Sequence, residues 1–313
     1  MATVLAAPFS ASLCADLGAE VVKLELPDGS DPLRSLAPVK EGLPLYWKVT
    51  NRGKKGITLD VRKPQGRALC LKLVASFDVL VENVRAGTLE RWGIGPQVLF
   101  EANPRLVLLR LTGFGQSGPN ATRPGFARIF EAMSGLTNLT GQPDGPPLHM
   151  NFPIGDTVAG VFGAFAITSE LVRLKADPSA RGIEIDLSAT EALMRMLEPL
   201  AVEREQLGLV RRRSGNLASY TAPSNMYRTR YRRPASCPGL SVGRCRFRTP
   251  ALGSDSTTPR STPDWGWARR TWQRCAPTVS SEAGVSPIGT RGGPSAEVMV
   301  CSRVVLTQGK GSQ

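Results

Sequence analysis

At 313 residues the chain is long enough to bury one large core or two smaller ones, and an apolar share of 41% is ordinary for a globular protein. The longest apolar stretch, Val158 to Ile167, is interrupted at Thr168, Ser169 and Glu170, so no membrane partner is expected, and no Lys or Arg cluster opens the chain as in a secretion signal. A net charge of +13 raises a nucleic-acid-binding reading, but from Tyr231 onward twelve basic residues face four acidic ones, so most of the excess lies there.

The first two thirds alternate strand and helix. A small-residue helix starts near Ser10, and a strand follows at Ala19 to Leu26 (AEVVKLEL). Gly56 to Val61 (GITLDV) is a second strand; Pro64 then sits where a first helical turn tolerates proline, and Arg67 to Phe77 continues with helical periodicity. Asp78 to Glu82 (DVLVE) and Arg105 to Leu111 (RLVLLRL) are near-continuous apolar runs of strand length, suited to a parallel sheet covered on both faces. Helices are predicted at Phe126 to Leu139, Thr157 to Leu174 and Thr190 to Leu207, with a short strand at Gly182 to Leu187. This alternation predicts an α/β class with a doubly wound sheet.

After Arg228 the pattern changes. Pro, Gly, Ser, Thr and Arg dominate, four of the six cysteines fall there, and no period of 2 or 3.6 is sustained. Residues 231–313 are therefore expected to be a disordered or irregular tail, and a shifted reading frame of a GC-rich gene accounts for such text. The six cysteines (Cys14, Cys70, Cys237, Cys245, Cys275, Cys301) form no CxxC pair, and His149 is the only histidine. Free thiols in a reducing cytoplasm are expected, with no metal site and no Ser-His-Asp triad.

Gly113, Gly115 and Gly118 spell GxGxxG in TGFGQSGP, directly after the strand RLVLLRL. That spacing can admit a pyrophosphate at a helix start, which gives an NAD(P)-dependent oxidoreductase as one reading. Pro119 and Asn120 follow instead of an apolar-periodic helix, which favours a mobile glycine loop. Asp156, between Gly155 and a helix, reads locally as an N-cap; an ionised, accessible carboxylate there is also a competent nucleophile toward a thioester. Ala159, Gly160, Gly163, Ala164 and Ala166 allow another backbone to approach closely, within the chain or across a subunit contact.

An ordered set of phrases then carries a resemblance. AAPFSASLCADLGAEVVKLELPDGSDPLR, NRGKKGITLDV, DVLVENVRAGTLERWGIG, NPRLVLLRLTGFGQSGP, AMSGL, PIGD, RGIEIDLSATEAL and RRSGN occur in sequence between residues 3 and 229. The chain resembles the class III coenzyme A transferases, the formyl-CoA transferase-like or CaiB/BaiF family. The resemblance implies a Rossmann-like large domain over residues 1–215, the entrance to a small domain at 216–230, and a tail beyond 231 that leaves the family pattern. It also implies a first strand clipped before Ala2. The implied activity moves CoA from an acyl-CoA donor to a carboxylic acid, with both as partners, CoA as a substrate, no tightly bound cofactor and no nucleic acid.

Residue by residue, Asp156 matches the family's catalytic aspartate, which passes through anhydride and aspartyl-CoA thioester stages. Ala6, Leu59, Arg62, Asn83, Val84 and Arg91 match CoA-contact positions, Val84 replacing an aromatic. Leu26 stands where some members place a phosphate-binding Arg, for which Arg34 is a candidate substitute. Ala127 and Arg128 occupy ground where many members carry an acid. Gly113, Gly115 and Gly118 match a loop that shields the intermediates. Members form interlocked homodimers, so a homodimer is expected if the tail permits it; an inactive truncated or frameshifted remnant is the alternative.

Overall fold

The computed structural model describes residues 1–218 and Tyr220; the expected tail, and nearly all of the expected small-domain entrance, lie outside them. In chain order the elements are α1 (Ala6–Asp16), β1 (Val21–Glu25), a short 3-10 turn at Pro32–Arg34, β2 (Val39–Lys40), β3 (Leu43–Pro44), α2 (Leu45–Thr50), β4 (Lys54–Thr58) and α3 (Pro64–Val74). Then come β5 (Val79–Glu82), α4 (Thr88–Arg91), α5 (Pro96–Ala102), β6 (Val107–Thr112), α6 (Ala127–Met133), α7 (Leu136–Leu139), α8 (Ile154–Ala176), β7 (Glu184–Ser188), α9 (Ala189–Met196) and α10 (Glu198–Leu207).

Every expected strand is present within three residues of its expected ends. β1 and β4 pair in parallel, from Val21 opposite Lys54 to Glu25 opposite Thr58. β5, β6 and β7 form a second parallel sheet in that order. The α/β class and parallel pairing hold, with the parallel strands divided between two sheets instead of one. In β6, Val107 to Leu111 are all buried, as a strand covered on both faces requires. Its one charged residue, Arg110, lies in that core with Nε 2.7 Å from Glu82 of β5, and Nη1 2.8 Å from Glu90 of α4 and 3.1 Å from Glu184 of β7.

The helices differ more from expectation. α1 begins at Ala6, not near Ser10, and ends in a Schellman motif: the Ala19 N–H donates to Cys14 O and the Gly18 N–H to Ala15 O, with Gly18 at φ +105°. The helix expected over 126–139 is two, because Gly135 (φ +91°) breaks it. The one expected over 190–207 is also two, restarting at Glu198 with Pro199 in its first turn, where no N–H is required. α8 begins at Ile154, three residues before the expected start, and runs for 23 residues.

By length and composition α8 is also sufficient to cross a bilayer, which corrects the shorter apolar run read from the sequence. Thr168 and Ser169 do not interrupt it, since both hydroxyls donate to Phe165 O within the helix. Here α8 is the central packing helix: Ala159, Gly160, Gly163, Ile167 and Leu174 are buried. A Cβ on Gly160 would lie 2.9 Å from Ala6 O, and one on Gly163 would lie 2.5 Å from Ser10 Oγ. The small-residue stripe is thus consumed by α1 of the same chain.

Candidate active site

In parallel α/β sheets, ligands sit beyond the carboxyl ends of the strands. β4 delivers Leu59 and Arg62 to that edge, β5 delivers Asn83 and Val84, and β6 delivers the glycine loop. Asn83 clamps the start of the chain, accepting from the Thr3 N–H and donating to Thr3 O, both at 2.8 Å. The Val4 N–H donates to Asp31, and the Lys54 ammonium donates to Pro8 O at 2.7 Å. These bonds fix Ala6, buried at the first turn of α1, and give the NRGKK segment a positioning task. Leu59 and Val84 both pack against the core cluster of Val61, Leu80 and Leu108, so the aliphatic Val84 is part of a hydrophobic wall.

The candidate phosphate ligands are exposed and paired. Arg62 bonds Asp60 (Nε to Oδ1, 2.7 Å) and Asp28 (Nη1 to Oδ2, 2.8 Å), and these carboxylates raise its pKa further. A phosphate there must compete with both. Arg91 donates to the Thr88 hydroxyl at 2.7 Å and stands apart on α4. Arg34 forms a bidentate pair with Glu25, the residue before Leu26, and stacks on Trp47 at 3.9 Å.

Asp156 is the third residue of α8, not its N-cap; Pro153 holds that position and no side chain caps the helix. The carboxylate is half-buried in the first turn, where the positive end of the helix dipole favours its charge. Among the described residues no hydrogen bond or ion pair engages it. Burial is the larger cause, and the neighbouring Glu131 carboxylate the second, that pushes its pKa up to about 7. Half of it is then ionised near neutrality.

Glu131 is the residue that sequence reasoning missed. It is buried on α6, one helical turn beyond Ala127 and Arg128, where an acid was expected and not found. Its Oε1 accepts the Gly155 N–H at 2.9 Å, and His149 Nδ1 lies 3.5 Å from its Oε2. The chain's only histidine therefore belongs to the Asp156 surroundings, with its ring 31% exposed. A Cβ on Gly155 would come within 2.5 Å of Phe130, so only glycine lets α8 start this close to α6.

Gly113 touches the same Phe130 from the opposite side and abuts Gly125, where an added Cβ would meet Gly125 Cα at 3.1 Å. Gly113 O accepts the Thr190 hydroxyl at 2.7 Å, and the Gln116 N–H donates to Asp186 at 2.9 Å. The loop is therefore pinned at its base, while Gly118 (φ +86°) has nothing within 4 Å of where a Cβ would stand. No helix opens at Gly118; α6 starts at Ala127, so the dinucleotide fingerprint lacks its essential helix N-terminus. The free thiols among the described residues are Cys14 and Cys70.

Comparison with known proteins gives a concordant result. Residues 1–241 match the model of CoA-transferase family III. The chain is 41% identical over 226 residues to succinyl-CoA–D-citramalate CoA-transferase of Chloroflexus aurantiacus, covering 72% of this chain and 56% of that protein. It is 40% identical over 230 residues to the alpha subunit of succinyl-CoA–L-malate CoA-transferase from the same organism, covering 72% and 53%. A crystal structure of a CaiB/BaiF family protein from Brucella suis superposes with a TM-score of 0.67 at 34% identity, over 72% of this chain and 60% of that one. The chain spans little more than half the length of the curated relatives it matches.

Proposed function

Because this chain belongs to CoA-transferase family III, we propose that it moves coenzyme A from an acyl-CoA thioester to a free carboxylic acid, with Asp156 as nucleophile. The observation that carries the reading is the Asp156 carboxylate at the start of α8, beside Glu131, with Phe130 packed between Gly155 and Gly113 of the glycine loop. The Asp156 carboxylate attacks the donor carbonyl, the C–S bond breaks, and CoA leaves as a thiolate. The thiolate then attacks the Asp156 carbonyl of the resulting anhydride, expelling the donor acid and leaving an aspartyl-CoA thioester. The acceptor carboxylate attacks that thioester, and returning thiolate takes the new acyl group, regenerating Asp156. Glu131 keeps Gly155 and the first turn of α8 in place, and the loop from Gly113 to Gly118 shields the anhydrides from water.

Ala6, Leu59, Asn83 and Val84 form the wall beside which the nucleotide lies, with Arg62 and Arg91 as phosphate partners. The two Chloroflexus relatives are named for succinyl-CoA donors, so succinyl-CoA is the donor to test first. The full chain incubated with succinyl-CoA and other acyl-CoA donors, each with a panel of carboxylic acids, should form new CoA thioesters and a hydroxylamine-trappable aspartyl-CoA thioester on the protein. Asp156→Ala should abolish both. Absence of any trappable species with every donor and acid tested rejects the nucleophile assignment and favours an inactive remnant.

We read the assembly as a homodimer of the interlocked family type. Val161, Phe165 and Val172 support this: they share one stripe of α8, opposite the face used by α1, and are 50%, 69% and 64% exposed. A cytoplasmic location fits the free thiols of Cys14 and Cys70 among the described residues.

A further inference from the structure

The two oxygens of the Glu131 carboxylate have different tasks. Oε1 accepts the Gly155 N–H at 2.9 Å and so fixes the first turn of α8. Oε2 lies 3.5 Å from His149 Nδ1, which also stands 3.4 Å from the Thr137 hydroxyl. These two neighbours suit different states of the ring. The imidazolium donates from Nδ1 and forms an ion pair with Glu131; the neutral ring with its proton on Nε2 accepts the Thr137 hydroxyl there instead. Glu131 and Thr137 are buried, while the His149 side chain reaches solvent and can exchange protons with it.

Among the described residues, the other charges near α8 are committed elsewhere or exposed. α1 meets α8 at Gly160 and Gly163 through Ala6, Phe9 and Ser10, none of which titrates. Arg110 of β6 is engaged by Glu82, Glu90 and the β7 residue Glu184, and Asp186 of β7 accepts the Gln116 N–H. Glu191 of α9, Arg128 of α6 and Asp144 of the segment before α8 are exposed, and Arg195 of α9 pairs with Glu198. Glu131 is the neighbouring charge that acts on Asp156, adding to burial in holding the Asp156 proton.

We propose that Glu131 and His149 are positioning residues that act as a pair to set the charge of Asp156. The bearing of this pair on catalysis rests on Asp156 being the nucleophile. With His149 protonated, the ion pair offsets the Glu131 charge, and Asp156 stays anionic to lower pH. With His149 neutral, the two carboxylates repel, and Asp156 keeps its proton to higher pH. Only the anion attacks a thioester, so the imidazole extends the reaction toward acid conditions.

The test is a carbon-13 NMR titration of the full-length chain labelled at its aspartate carboxyls, with the Asp156 signal identified by its loss in Asp156→Asn. Its midpoint should fall by about one pH unit in Glu131→Gln, which keeps an acceptor for Gly155 and removes the charge. His149→Gln leaves the buried carboxylate in place and should raise the midpoint by roughly half a pH unit; it decides alone if the first variant fails to fold. Made on top of Glu131→Gln, the same change should move the midpoint by less than about 0.2 pH unit, because His149 acts through Glu131. Residues with a purely structural role would not move the midpoint in opposite directions. Midpoints unchanged by the single substitutions, or two shifts that simply add, overturn the proposal. Trapping of the thioester with succinyl-CoA reads the nucleophile separately. Midpoints that move as stated in a chain that traps none uphold the pairing and reject the nucleophile, whereas unmoved midpoints in a chain that forms thioester do the reverse.

Discussion

The proposed nucleophile, Asp156, is held in a setting that weakens the fold around it. Its folded-state pKa of about 7 lies above the usual unfolded carboxylate value of about 3.9. The folded state therefore binds the proton more tightly than the unfolded state does. The resulting penalty is absent below about pH 4, grows as pH rises toward 7, and is constant above. Asp156→Asn should thus be more stable than the parent at pH 8 by about 1–4 kcal/mol and indistinguishable from it near pH 4. Paired urea titrations at the two pH values check this, and a pH-independent difference refutes it. Asp156 was proposed from the PIGD phrase within the ordered family set, whereas its local setting suggested a cap that the structure does not contain. Glu131 and His149 were not legible, because they reach Asp156 only through the packing of α6 against α8 and the path of the chain between them.

Among the elements, strands were easier to read than helices. DVLVE and RLVLLRL carry their own signal, since a strand buried on both faces must be apolar nearly throughout. Helix ends depend on single residues: Gly135 and Pro199 each divide what periodicity alone joins. The joining of α1 to α8 was visible only as a stripe of small residues without a partner. Gly160→Val should cost about 1–3 kcal/mol in urea denaturation, because its Cβ meets backbone at Ala6 that cannot rotate away. Val161→Ala, on the exposed side of the same helix, should change stability by less than about 0.5 kcal/mol. A similar loss for both would mean that α1 does not constrain this face.

For the whole molecule, the alternation of strand and helix was enough to name the class, while the division into two sheets was not, since it depends on which edges find neighbours. The exposed α8 stripe belongs to the same scale. A Phe165→Glu chain should sediment as a monomer at micromolar concentration, while the parent sediments as a dimer; a monomeric parent would remove the homodimer from the reading. Arg110 has a different reach. It joins β5, β6, β7 and α4 through three carboxylates, and replacing it alone would leave Glu82 buried without a counter-charge. Replacing Glu82 alone would leave the guanidinium with Glu90 and Glu184. Losing Arg110 first therefore passes through a damaged intermediate, whereas a joint change of Arg110 and Glu82 to apolar residues of similar volume need not. The guanidinium thus acts as a keystone, which can be withdrawn without loss only when the buried acid that leans on it is withdrawn as well.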